Sequence, residues 1–153
     1  MPSHAMNTDE IRAFLEALPA RTAKLATVRA DGRPHVAPVW VALDTAAADG
    51  GSPVGDLVFN TGEDTVKGAN LRRDPRVALC FDDERAPFSF VAVDGVASIS
   101  EDLDDVRRWA TVIGGRYMGE DRAEEYGRRN GVPGELLVRV RPTHIVAVAD
   151  LAG

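Results

Sequence analysis

Residues 56–75, DLVFNTGEDTVKGANLRRDP, read as a strand that opens into a short helix. Leu57-Val58-Phe59 is the apolar strand core, and Asn60-Thr61-Gly62 ends it. Asp64 to Arg73 follows as the helix, closed by Pro75, a residue that removes a helical hydrogen bond and clashes with the preceding turn. Thr65, Lys67 and Asn70 fall on its neighbouring turns. Lysine and arginine together number 18, and only Lys24 and Lys67 are lysines. A helix start offers free N–H groups and the positive end of a dipole. With a lysine, a hydroxyl and an amide close by, it suits an anionic group.

On the C-terminal side of this segment, Arg76 to Asp82 is a further strand and Phe88 to Ser100 a long one. Asp94-Gly95 interrupts the long strand and predicts a bulge or a barrel bend. Val106, Trp109, Ala110 and Ile113 form the inner face of a helix that starts in the acidic run Glu101 to Asp105 and ends or bends at Gly114-Gly115. Glu120 to Arg129 is another helix, ended by Asn130-Gly131, and Leu136 to Val148 the last strand, with a bend expected at Pro142.

On the N-terminal side, Asn7 or Thr8 caps a first helix with the stripe Ile11, Phe14, Leu15, Leu18, stopped by Pro19. Lys24 to Ala30 and Arg33 to Asp44 are two strands joined by the hairpin signal Asp31-Gly32. Pro38 cannot donate to a ladder, which predicts a sheet edge or bulge beside Trp40. Trp40 is either a buried aromatic beside that edge or part of a ligand wall. Phe88 and Phe90, alternating on the long strand, either fill the core or line a cleft for an aromatic ligand. Residues 1–7 read as a disordered leader or cloning remnant, and 8–153 as one domain. Hairpin-like strands outnumber helices and no regular βαβ alternation occurs, so the fold class is mainly β, an antiparallel barrel with flanking helices.

Composition narrows the function. The chain has 153 residues, 44% of them apolar, with a net charge of −6; it is globular and lacks the basic patch of a nucleic-acid binder. The single cysteine, Cys80, excludes an intrachain disulfide, reads as a small core residue and fits a reducing cytoplasm. No apolar run is long enough for a membrane span. His4, His35 and His144 are scattered, so no metal site is expected. No nucleophile elbow, Walker motif or dinucleotide glycine motif is present.

Three segments carry a family likeness. They are Ala26-Thr27-Val28-Arg29-Ala30-Asp31-Gly32-Arg33-Pro34-His35 with Pro38-Val39-Trp40, then Lys67-x-x-Asn70-Leu71-Arg72-Arg73-Asp74-Pro75-Arg76-Val77, and Phe88-Ser89-Phe90-Val91-Ala92-Val93-Asp94-Gly95-Val96-Ala97. In this order and spacing the chain resembles the pyridoxamine-phosphate-oxidase-like split barrels, and within them the branch that uses the deazaflavin coenzyme F420. The resemblance implies a six-stranded antiparallel split β-barrel and a homodimer whose clefts between subunits each hold a cofactor. It places the cofactor phosphate at Lys67 with help from Thr65, and the ring along Pro38, Val39, Trp40, Asn60 and Thr61; Asn70, Phe88 and Phe90 complete the expected cofactor contacts. Thr65 stands where relatives often carry a basic residue, which shifts the weight to Lys67. Arg139-x-Arg141-Pro142 echoes only faintly the Arg-x-x-Pro-x-Arg ending of true pyridoxamine-phosphate oxidases, which argues against that reaction.

The expected function is therefore hydride transfer from reduced F420 to an unsaturated organic acceptor, with no catalytic residue identified. FMN on the same fold is the alternative cofactor. A protein that binds a flavin, haem or other planar group without turnover is the alternative of another class. Arg72 and Arg73 are expected near the cleft mouth, to receive the anionic oligoglutamate tail of F420.

Overall fold

The computed structural model describes residues 2–153. Eight strands are present: β1 (His4–Ala5), β2 (Ala23–Val28), β3 (Pro34–Val39), β4 (Ala42–Asp44), β5 (Asp56–Gly62), β6 (Arg76–Asp82), β7 (Phe90–Ser100) and β8 (Glu135–Ala149). Four α-helices accompany them: α1 (Thr8–Glu16), α2 (Val66–Arg73), α3 (Leu103–Met118) and α4 (Ala123–Asn130). Every ladder is antiparallel. The sheet runs β3-β2-β6-β7-β8-β5-β4, with β1 paired to β8. Its two edges, β3 and β4, are separated in the chain by Trp40 and Val41 alone, so the sheet curls until its edges nearly meet, yet no ladder closes it. The six-stranded barrel expected from the sequence is thus an eight-stranded, unclosed sheet. One added strand comes from breaking Arg33 to Asp44 at Trp40-Val41. The other is β1, which uses His4 and Ala5 of the stretch read as a leader.

Period-two alternation explains the core. Leu25, Phe59, Leu79, Val91, Val93, Val138 and Val140 point inward and are buried, with Ile11 and Leu15 of α1 among the residues packed with them. β5 is buried on both sides, because α3 covers its other face. Val58, Val106, Trp109, Ile113 and Leu137 form this second cluster, with Trp40 and Tyr117 at its margin. The continuous apolar run Leu57-Val58-Phe59 is the signature of a strand buried on both faces.

Local chemistry sets the boundaries. Asn7 caps α1, and a full capping box with Glu10 fixes its start. The helix ends at Glu16, leaving Leu18 71% exposed rather than on the apolar stripe; the residue before a proline avoids helical geometry. Gly32, at φ +86°, turns the β2–β3 hairpin. At Asp94-Gly95 the β7–β8 register slips, and the unpaired residue is Thr143 on β8. Gly114 and Gly115 do not end α3. The helix runs on to Met118, and a Cβ on Gly114 would collide with the Cβ of Tyr126 on α4. Cys80 lies on the outer face of β6 and is exposed, because the inward positions there are Val77, Leu79 and Phe81.

Candidate functional site

A cavity of about 380 Å³ is lined by Pro38, Val39, Trp40, Asn60 and Lys67, together with Thr22, Ile113, Asn130 and Glu135. The elements that build it are the end of edge strand β3, the polar end of β5, the first turn of α2, the inner face of α3, the last residue of α4 and the start of β8. Pro38 sits on the edge strand, as its missing N–H predicts. Trp40 is half-buried and stacks on Tyr117, with ring centroids 5.0 Å apart and planes within 4°. Tyr117 holds that geometry by accepting from the Val41 N–H at 3.0 Å and donating to the Arg21 carbonyl at 2.6 Å. Burial pushes the Tyr117 hydroxyl pKa up, so it stays protonated and donating. The indole is thereby a pre-set wall.

Among the polar groups at the cavity, Asn60 and Lys67 are unspent donors. The Asn60 Nδ2 is buried and has no hydrogen-bond partner, a costly state for an amide unless a ligand or water meets it. Lys67 lies on the first turn of α2, and no described carboxylate pairs with it within 4.0 Å. The other expected polar residues are already engaged. Thr65 is the N-cap of α2: its Oγ1 accepts from the Gly68 N–H at 3.1 Å and donates to the Gly62 carbonyl at 2.8 Å. Thr61 is 3% exposed and exchanges a hydrogen bond with Thr65 at 3.0 Å. Asn70 is buried and donates to the Thr27 hydroxyl at 3.0 Å, fastening α2 to β2. Through these bonds the three residues tie α2 to β5 and β2.

Phe88 and Phe90 do not line this cavity within one chain. They border a separate groove with Lys24, Cys80, Asp82 and Leu151. Phe88 precedes β7 rather than alternating on it, at φ +63°. Arg72 and Arg73 are likewise engaged elsewhere. Arg72 pairs with Glu101 at 3.0 Å, and Arg73 donates to the Val28 carbonyl and the Asn70 side chain. Sequence reading missed Thr22, Ile113, Asn130 and Glu135. Glu135 carried a signal, an acid opening the apolar run Leu136-Leu137-Val138 right after Pro133-Gly134. The other three reach the cavity through long-range packing that no local pattern encodes. Among the described residues no group of three or more potential ligands could hold a metal, and no helix is long and apolar enough to cross a membrane.

A family model described as pyridoxamine 5'-phosphate oxidase matches residues 7–149. No curated protein matches the chain. Among solved structures, a conserved hypothetical protein from Mycobacterium tuberculosis is 26% identical with a TM-score of 0.76, over 93% of this chain and 84% of that one. A protein described as an F420 reductase is 27% identical with a TM-score of 0.63, over 88% and 94%. The haem storage protein HutZ from Vibrio cholerae, 20% identical with a TM-score of 0.66 over 91% and 93%, shares the fold.

Proposed function

We propose that this chain, which belongs to the pyridoxamine 5'-phosphate oxidase family, is an oxidoreductase that binds reduced coenzyme F420 in the Trp40–Asn60–Lys67 cavity and reduces an unsaturated organic acceptor. The observation that carries the reading is the pair of unspent polar groups, the Lys67 ammonium and the orphaned Asn60 amide, beside a fixed aromatic wall. Lys67 would hold the phosphate at the start of α2, where helix N–H groups and the dipole add to it. Asn60 would meet a polar edge of the ring, and Pro38, Val39 and Trp40 would flank its face. The deazaflavin supplies the hydride; the protein supplies binding, orientation and exclusion of water. F420 rather than FMN follows from the branch likeness of the sequence and from the F420 reductase among the similar structures. Arg72 and Arg73, both engaged with other partners, add nothing to that preference.

The working unit is a homodimer in this reading. The outer face of β2, β3, β6, β7 and β8 presents Val36, Cys80, Val96 and Val146 as exposed residues, with Ala26, Ala78 and Ala92 half-buried between them. Lys24, Asp94 and His144 share this face, and exposed apolar residues clustered among a few polar ones mark an association surface. Phe88 and Phe90 would reach a cofactor only across such an interface.

Parallel titration of F420 and FMN into the apoprotein, at low and high salt, tests the cofactor. F420 is expected to bind more tightly at both salt concentrations. Tighter FMN binding at both would move the assignment to FMN, and no binding of either would overturn the site.

A further inference from the structure

Glu135 is an unexplained carboxylate in the candidate cavity. It opens β8 directly opposite Gly62, the last residue of β5. A Cβ built on Gly62 would lie 3.8 Å from the Glu135 Oε2, so the carboxylate folds back over the bare glycine at the foot of α2. The side chain is half-buried, and no described donor hydrogen-bonds to it. Burial pushes its carboxyl pKa up, opposed by Lys67 and reinforced by Asp64. Those two, from α2 and from the turn before it, are the charged groups that bear on it. Glu63 on the same turn lies 3.8 Å from the Arg72 guanidinium; Asn60 and Asn130 are the neutral polar neighbours in the cavity.

An anion-binding lysine does not need an acid beside it. A carboxylate there weakens the site for every anion, and in proportion to the charge of the anion. We infer that Glu135 sets the phosphate specificity of the pocket: its carboxylate, beside Lys67, tolerates a singly charged phosphodiester and penalises a doubly charged phosphate monoester. The inference rests on the proposed cofactor site. It bears directly on the choice of cofactor, because the phosphate of F420 is a diester with one negative charge. The phosphate of FMN is a monoester whose second ionisation lies near pH ~6, so it is largely a dianion at neutral pH. One carboxylate thus discriminates between the two phosphates, each carried on a ribityl chain from a flat tricyclic ring.

The test compares wild type with Glu135→Gln, which keeps the shape and removes the charge. Dissociation constants for FMN and F420 are measured at pH 7.5 by quenching of ligand fluorescence, with circular dichroism melts confirming that both proteins are folded. FMN affinity should rise roughly tenfold in the variant and F420 affinity by no more than about threefold. The FMN gain should shrink as pH falls, because the wild-type carboxylate protonates and the FMN phosphate becomes a monoanion, which the carboxylate penalises less. Equal gains for the two cofactors, or no gain for FMN, would overturn the role of Glu135 and leave the cofactor site standing. Failure of both proteins to bind either cofactor would overturn the cofactor site and this inference together.

Discussion

The Lys67 cavity and the Phe90 groove are both concave, and the sequence pointed to residues in each, yet their polar groups are in opposite states. In the groove most charges are paired, Lys24 with Asp82 at 3.2 Å, and on the neighbouring turn Arg21 and Arg85 with Asp83 at 3.4 and 3.2 Å, and Glu84 alone has no ion-pair partner among the described residues. The apolar surface it leaves exposed is that of Leu151 and Phe88, at 48% and 44%. In the cavity the aromatic surface is already stacked on Tyr117, and what remains unspent is polar, Lys67, Asn60 and Glu135. Unpaired buried polar groups are costly and persist where a ligand satisfies them. Unpaired apolar surface is satisfied by any complementary apolar surface, and a second copy of the chain supplies one. The same distinction sorts the residues around α2. Thr61, Thr65 and Asn70 have polar atoms facing the fold and bonded to it, while Lys67 faces the cavity.

The sharpest way to break this comparison is to place a charge on the apolar face. Ala92 lies between Cys80 and Val146 in the ladders, and Ala92→Asp would bury an unpaired carboxylate in an interface there. That costs roughly 3–5 kcal/mol, or about two to three and a half powers of ten in the dimer dissociation constant. Sedimentation at micromolar concentration should show a wild-type dimer and a variant monomer. A wild-type monomer, or an unaffected variant, would remove the interface from the face.

A smaller effect is expected in the cavity. Lys67→Ala removes a hydrogen bond to a charged group, roughly 1.5–3 kcal/mol, or about one to two powers of ten in cofactor affinity. The melting temperature should hardly move, because Lys67 has no partner in the fold to lose. An unchanged dissociation constant would show that the phosphate is held elsewhere.

The smallest effect separates building residues from binding residues. Thr65→Ala removes the N-cap of α2 and should cost about 1 kcal/mol of stability, seen as a lower midpoint in urea. Cofactor affinity should fall by less than with Lys67→Ala. A larger loss of affinity than of stability would return Thr65 to direct ligand contact.

Much of this was legible in the chain. The strand-to-helix segment at 56–75, the Asp31-Gly32 hairpin, the slip opposite Asp94-Gly95 and the edge at Pro38 each follow from local rules about φ, donors and alternation, which act within a few residues. The charge of Lys67, its place on the first turn of α2 and the aromatic Trp40 were likewise visible without coordinates. Tertiary structure alone decided which polar groups remain free. Thr65 and Asn70 looked as available as Asn60, but a cap bond and a bond to Thr27 consume them, whereas nothing meets Asn60. Cys80 and Leu18 were read as apolar interior and lie exposed, because which face of a strand is buried, and where a helix stops, depend on what packs against them. Gly114 and Glu135 make the same point. One packs against Tyr126 of the next helix and the other lines a cavity with Lys67, and both are set by packing that no short window of sequence contains.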